Sequence, residues 1–190
     1  MPPSKPVTVR PLRWTDFDDL RETYFHLYEE REQGEPIGIH LFAERPTIAD
    51  EAEWFASHFR RAAEGRSIEL VAERDGRAVG TCGIVPTMPG PPSEISHVGE
   101  LGILVHHAHR GTGVGTALLK EALHEARSKF EVVYLTVFSN NEGAQRLYRR
   151  FGFSVCGHLP KAVKRGGRYL DEERMVLDLA NVPDPGTSHR

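Results

Sequence analysis

Apolar and polar positions alternate over Val7-Thr8-Val9-Arg10, the period of a short strand. The spacing then turns helical. Phe17, Leu20, Tyr24, Leu27 and Tyr28 share one face, behind a start signal formed by Thr15 and Asp18. Residues 33–46 lose all periodicity and hold Gly34, Pro36, Gly38 and Pro46, so they read as a loop or broken helix over one edge of the fold. Helical spacing returns over 47–63, with Ile48, Ala52, Phe55 and Phe59 on the expected inner face. Residues 68–73 alternate, Asp75-Gly76 is a hairpin turn signal, and 77–85 supplies the returning strand. A proline-rich loop at 88–93 precedes a long strand candidate over 95–105. A helix over 113–126 turns Val114, Leu118, Leu119, Ala122 and Ala126 inward. Residues 132–137 form a β-branched buried strand, and a helix over 141–151 carries Ala144, Leu147, Tyr148 and Phe151 on its stripe. Two strands, near 154–159 and 173–179, complete the order β-α-α-β-β-β-α-β-α-β-β. It contains no repeat and no linker, so one domain is expected over 1–180. The polar tail at 181–190, with two prolines, is expected to be disordered.

Composition changes this picture only by exclusion. Net charge is −3, which gives no support to a nucleic-acid binder. No run of 18 apolar residues exists to cross a membrane, and the first residues carry no secretory signal, so the expected compartment is the cytoplasm. Cys82 and Cys156 are too few for a disulfide framework and read as buried, reduced thiols.

The most informative segment runs Leu104-Val105-His106-His107-Ala108-His109-Arg110-Gly111-Thr112-Gly113-Val114-Gly115. A strand enters a glycine-rich turn that opens a helix, which aims unpaired backbone N–H groups and the positive end of the helix dipole at one spot. That spot suits a phosphate or pyrophosphate. The dinucleotide fingerprint needs G-x-G-x-x-G, and this loop reads G-x-G-x-G; the nucleoside-triphosphate loop needs a Lys followed by Ser or Thr, and Thr116-Ala117 stand there instead.

Arg110-Gly111-Thr112-Gly113-Val114-Gly115 resembles the R-x-x-G-x-G/A loop of the GNAT superfamily of N-acetyltransferases, which grips the pyrophosphate of coenzyme A. Asn141, Ala144, Leu147-Tyr148 and Gly152-Phe153 resemble that family's second signature, N-x-x-A-x-x-L-Y-x-x-x-G-F. The resemblance covers about residues 7 to 179. It implies an α/β (α+β) fold with a mixed, mostly antiparallel sheet of about seven strands and about four flanking helices. It also implies acetyl-CoA as co-substrate. The cofactor is then expected at Arg110, Gly111, Thr112, Gly113, Val114, Gly115 and Thr116, with the pantetheine arm along Leu104 and Val105 and against Asn141 and Tyr148. Dimers are frequent in the family, so the resemblance allows a homodimer.

Acetyl transfer requires a polarised thioester, a neutral amine and a protonated leaving thiolate. At pH 7 a lysine-like amine near 10.4 costs about 4.6 kcal/mol to deprotonate, and an α-amine near 7.8 only about 1 kcal/mol. Glu100, a carboxylate on a row with Val98, Gly102 and Leu104, is the expected base, as its spacing to Arg110 is similar to that of a strand glutamate in the phosphinothricin-type branch. An ordinary glutamate is a weak base, so the role requires a bridging water or a raised pKa. Tyr148 is the expected acid near the sulfur, with a packed core tyrosine as the alternative. Asn140 and a purely helix-capping Asn141 stay open beside the pantetheine contact.

His106, His107 and His109 lack ligand spacing and a partner acid, so no metal is expected. In the family the acceptor lies among the first two helices, their connecting loop and the last two strands, here about 29–42 and 161–171. There, Glu29, Glu30, Glu32 and Glu35 are read either as attracting a cationic amine or as a solvated face. Arg165, Arg168, Tyr169 and Asp171 are read either as holding a carboxylate or as pairing with each other. The expected acceptor is a small primary amine. A protein N-terminus or lysine is the first alternative, and a non-catalytic acyl-CoA-binding module the second.

Overall fold

A two-residue turn, Asp75-Gly76, joins the first long hairpin, because both residues hold positive φ (54° and 78°) and so match the right-handed twist of the strands they connect. The computed structural model describes residues 6–35, 37–88, 90–91 and 93–181. Its elements in chain order are β1 (Thr8–Pro11), α1 (Phe17–Glu32), α2 (Ile48–Ala63), β2 (Ile68–Arg74), β3 (Arg77–Pro86), β4 (Val98–Val105), α3 (Val114–Ala126), β5 (Val132–Phe138), α4 (Glu142–Arg150), β6 (Ser154–Arg165) and β7 (Arg168–Asp178). The seven strands form one sheet in the order β1-β2-β3-β4-β5-β7-β6. Only β4 and β5 run parallel, so the sheet is mixed and mostly antiparallel, as expected.

The two sheet faces are covered by different helices. Leu70, Ala72, Cys82, Ile84 and Leu101 join Leu118, Leu119 and Ala122 of α3 in the main core. On the opposite face, α1 and α2 contribute Leu20 and Phe55, which pack on Val71 and Ala78. Two of the helices, α2 and α4, start where a side chain satisfies a free N–H group. Thr47 and Asp50 exchange side-chain bonds in a capping box at α2, and Asn141 Oδ1 accepts the Ala144 N–H at α4.

Several boundaries differ from the sequence pattern. The first helix starts at Phe17, preceded by a short 3-10 turn at Trp14–Asp16, because the Asp16 carboxylate accepts the Arg13 N–H and pairs with Arg10. Ile48 and Ala52 face out; α2 buries only Phe55, because just one narrow stripe of it meets the sheet. The strand candidate beginning at 95 starts at Val98. The last two strands are much longer than expected, twelve and eleven residues, and turn at Gly166 and Gly167, both at positive φ. Cys156 is exposed on the edge strand β6, while Cys82 is buried. Asn181 ends a 3-10 turn and donates to Asp178; the rest of the expected disordered tail lies outside the described residues. Among the described residues no helix is long and apolar enough to cross a membrane.

Candidate active site

The glycine turn between β4 and α3 has the conformation that an anion cradle requires. Gly111 and Gly113 hold φ of 72° and 88°, Gly113 is the N-cap of α3, and nothing lies within 4 Å of the place a Cβ on either would take. The space in front of the first α3 amides is therefore open, and a side chain there would enter it. This fits a phosphate-bearing cofactor. Val114 is 1% exposed and packs in the core, so only its backbone can face such a ligand. Gly115 lies against Leu147 of α4, and the Thr116 hydroxyl accepts from Arg150 at 2.7 Å. Thr112 Oγ1 donates to the His109 carbonyl and accepts from Arg74.

Arg110 is engaged elsewhere. Its guanidinium donates two bonds to Glu30 of α1, at 2.8 and 3.0 Å, and Nε donates to the Val105 carbonyl. Glu30, expected among acids facing an acceptor or solvent, is thus a buried clamp that holds the end of α1 against the loop. Beside it, His26 stacks on His107 with ring centroids 3.8 Å apart. Ligand atoms of His26, Glu30 and His107 lie within 4.8 Å of one another, so a partner acid does exist for the histidines. Both oxygens of that acid already accept from Arg110.

Strands β4 and β5 pair only from Val98–Glu100 against Val132–Tyr134, yet run on to Val105 and Phe138. Beyond Glu100 they part, leaving the β5 side of Leu104 and Val105 without a ladder partner. An extended amide-containing arm can add there as a strand would. Leu104 points its side chain to the α1–α2 face and Val105 packs toward the α3 core.

Glu100 stands where the strands part. Its Oε2 accepts from the Tyr134 hydroxyl at 2.9 Å, and the Arg174 guanidinium lies over the Tyr134 ring. Tyr148 is 6% exposed, packed against Phe153 in the main core. Burial, followed by nearby Cys82, pushes its hydroxyl well above the ordinary tyrosine value. It therefore keeps its proton at neutral pH. Asn141 caps α4 through Oδ1, and its amide group lies directly against Gly38, where any Cβ would collide with Nδ2.

Gly38 belongs to the segment that follows α1, and that segment is tied down on several sides. Arg165 of β6 donates to the carbonyls of Ile37 and Ile39 at 2.8 and 2.9 Å. Arg31 donates to those of Phe42 and Ala43, and His40 lies 2.8 Å from Glu172 of β7. Arg165 thus holds the loop rather than a carboxylate. Beside this segment, with Phe42 in its wall, lies a cavity of about 190 Å³ between α1, α2 and strands β2–β4. Its walls are mainly apolar and aromatic, and Glu69 lies among them. Sequence reasoning missed Glu69, whose position in the alternating run 68–73 looks like an ordinary solvent-facing one.

A model of the Acetyltransferase (GNAT) family matches residues 3–153. The L-methionine sulfoximine/L-methionine sulfone acetyltransferase of Pseudomonas aeruginosa is 28% identical over 135 residues, 70% of this chain and 74% of that protein. Among solved structures, YncA of Salmonella typhimurium with its cofactor acetyl-CoA superposes with a TM-score of 0.76 at 25% identity, covering 96% of this chain and 99% of that one. The ribosomal-protein-alanine N-acetyltransferase of Brucella melitensis superposes with a TM-score of 0.75 at 28% identity, covering 90% and 99%.

Proposed function

The chain belongs to the acetyltransferase (GNAT) family, and on that premise we propose that it transfers the acetyl group of acetyl-CoA to the primary amine of a small molecule. One domain over residues 1–180, in the cytoplasm, carries the whole reaction. The observation behind the small-molecule choice is the closed segment after α1. A peptide would need that segment open, whereas Arg31, Arg165 and Glu172 tie it down beside a cavity of about 190 Å³ that Phe42 helps to line. A relative that acts on methionine sulfoximine handles a compound of that scale. The likeness to an enzyme that modifies ribosomal-protein alanine favours the rival, a protein α-amine.

Acetyl-CoA would be held by the backbone amides from Gly111 to Thr116 through its pyrophosphate, by the free edge of Leu104 and Val105 through its pantetheine arm, and by Asn141 and Tyr148 near the sulfur. It supplies an acetyl group activated as a thioester. The amine attacks directly, so the protein's tasks are to align it, remove its protons and return one to the leaving sulfur. Glu100 is the proton acceptor of the transfer step, acting through a water where β4 and β5 part. Tyr148 is the donor to the thiolate.

The first test is thiol release from acetyl-CoA across amino acids, polyamines, aminoglycosides, phosphinothricin-like compounds and short peptides with free N-termini. Turnover of one small amine well above the buffer blank is expected, with peptides silent. Turnover of peptides alone would move the assignment to protein modification. In the same assay Glu100→Gln is expected to slow transfer about tenfold, the low end of proton-transfer effects. A rate within threefold of wild type removes Glu100 from the mechanism. Tyr148→Phe is expected to slow transfer by a similar factor and to change its pH dependence; an unchanged rate and profile would leave Tyr148 a packing residue.

A further inference from the structure

The cavity between α1, α2 and the sheet has a carboxyl at its floor that none of these roles uses. Glu69 on β2 pairs across the sheet with Gly83 on β3, which in turn pairs with Gly102 on β4. Two glycines in that row let the Glu69 side chain lie flat across the sheet. A Cβ on Gly83 would come within 2.5 Å of Glu69 Oε2. Above Gly102 nothing stands within 4 Å, so the carboxyl looks over β3 onto open space beside β4. Glu69 is 8% exposed, and Oε1 is buried with no hydrogen-bond partner among the described residues. The walls around it include Leu12, Phe17, Leu20, Trp54 and Phe55. Leaving a buried carboxyl oxygen such as Oε1 without a hydrogen bond is unfavourable, and an arriving ammonium supplies one.

We propose that Glu69 binds the acceptor ammonium in this cavity and takes its first proton, so that the acceptor is a primary amine on an apolar body. The inference rests on the acetyltransferase reading above. As the ammonium binds, Glu69 gives its own proton to solvent. One proton then passes from the ammonium nitrogen to the Glu69 carboxylate, and the freed lone pair attacks the carbonyl carbon of the thioester. The C–N bond forms as the C–S bond breaks. The second nitrogen proton leaves through the Glu100 water and refills Tyr148, which has given its own proton to sulfur. Glu69 ends the cycle protonated, as it began, so an ammonium and a thioester become an amide, a thiol and the one proton released on binding.

The electrostatics around Glu69 favour this transfer. Burial raises its carboxyl to about 8, against the opposing pull of Arg61 on α2 and then of the Ser67 hydroxyl. His58, also on α2, is pushed down to about 4 by burial and then by Arg61, so it adds no charge at pH 7. Glu51, raised by burial, faces the same cavity together with Arg21 and Tyr24. Cys82, on the other side of the sheet, keeps its proton because burial raises it. For an amine near 10.4, a carboxyl near 4.3 disfavours the neutral amine–acid pair by about a millionfold. A carboxyl near 8 cuts that to a few hundredfold.

The test uses phenethylamine, an amine on an aromatic body, with the wild-type chain, Glu69→Gln, Glu69→Asp and Glu100→Gln. Calorimetric binding at pH 7, in two buffers of different ionisation enthalpy, counts the protons released. Wild type and Glu100→Gln are expected to release close to one proton per amine bound, Glu69→Gln none, and Glu69→Asp a reduced number. In acetyl transfer, kcat/KM is expected to fall at least tenfold in Glu69→Gln, and its rise with pH near 8 to disappear. Equal proton release from Glu69→Gln, or no binding of phenethylamine by wild type, overturns the proposal. Failure of the acetyltransferase reading shows separately, as absence of turnover across the whole amine panel while proton release on binding persists and still reports on Glu69.

Discussion

Gly113→Val is expected to raise the Kd for coenzyme A about a hundredfold while leaving the protein folded. Gly113 holds φ of 88° at the N-cap of α3, and the space in front of it is open. A β-branched side chain meets two penalties there, and they separate cleanly. The left-handed conformation adds roughly 1–2 kcal/mol of backbone strain. For a chain of this size, that lowers the melting temperature by less than about ten degrees. Nothing lies within 4 Å of the new Cβ, so packing adds little at that atom. The second penalty falls on the ligand, because the side chain occupies the approach to the α3 amides. A hundredfold loss corresponds to about 2.7 kcal/mol, comparable to losing two charge-assisted bonds to a phosphate. Calorimetric titration with coenzyme A beside a thermal melt separates the two. A Kd within threefold of wild type, in a folded variant, would move the pyrophosphate away from this turn.

That prediction could be framed from the sequence because the turn is local. Glycines after a strand and before a helix dictate a backbone conformation whatever surrounds them, and Asn141 with Ala144 dictates a helix cap in the same way. Contacts between distant residues were not legible. Arg110 looks like a phosphate ligand by position, yet it lies against Glu30, eighty residues away in the chain. Arg165 looks like a carboxylate binder, yet it closes the segment after α1. The final hairpin is longer than its sequence pattern predicts because Pro160 and the residues after it lack strand periodicity. Pairing between β6 and β7, interrupted by an irregularity between Leu159 and Val163, carries the strands through that stretch. Glu69 was hidden for a related reason. Alternation distinguishes two faces of a strand but does not say that helices cover both, and here α1 and α2 roof the face that the pattern marks as polar.

Glu69 should leave a mark on stability that needs no substrate at all. Its carboxyl titrates at about 8 in the folded chain, while an unfolded glutamate titrates near 4.5. Below about pH 4.5 both states hold the proton and the group is neutral to stability. Between about 4.5 and 8 the unfolded chain releases the proton and the folded chain keeps it, so the unfolded state binds fewer protons and stability falls as pH rises. Above about 8 the carboxylate is ionised in both states and the loss levels off. The full gap corresponds to about 4–5 kcal/mol, an upper bound for a group that water can reach by local opening. Even half of that shifts the melting temperature by about 4–10 °C in a chain of this length. Glu69→Gln removes the titration. It is therefore expected to match wild type near pH 5, within about 1 kcal/mol, and to melt several degrees higher at pH 9. Melting curves of both proteins at intervals from pH 5 to 9 read this directly. Parallel curves would mean that Glu69 ionises like an ordinary surface carboxylate, and the floor of the cavity would then be wet rather than apolar. Diverging curves, combined with lower kcat/KM in the same variant, would show one residue that lowers stability where it raises activity. A structural carboxylate produces no such pairing, because its removal would not slow acetyl transfer. A proton acceptor held ready in an apolar cavity produces both effects from the same burial.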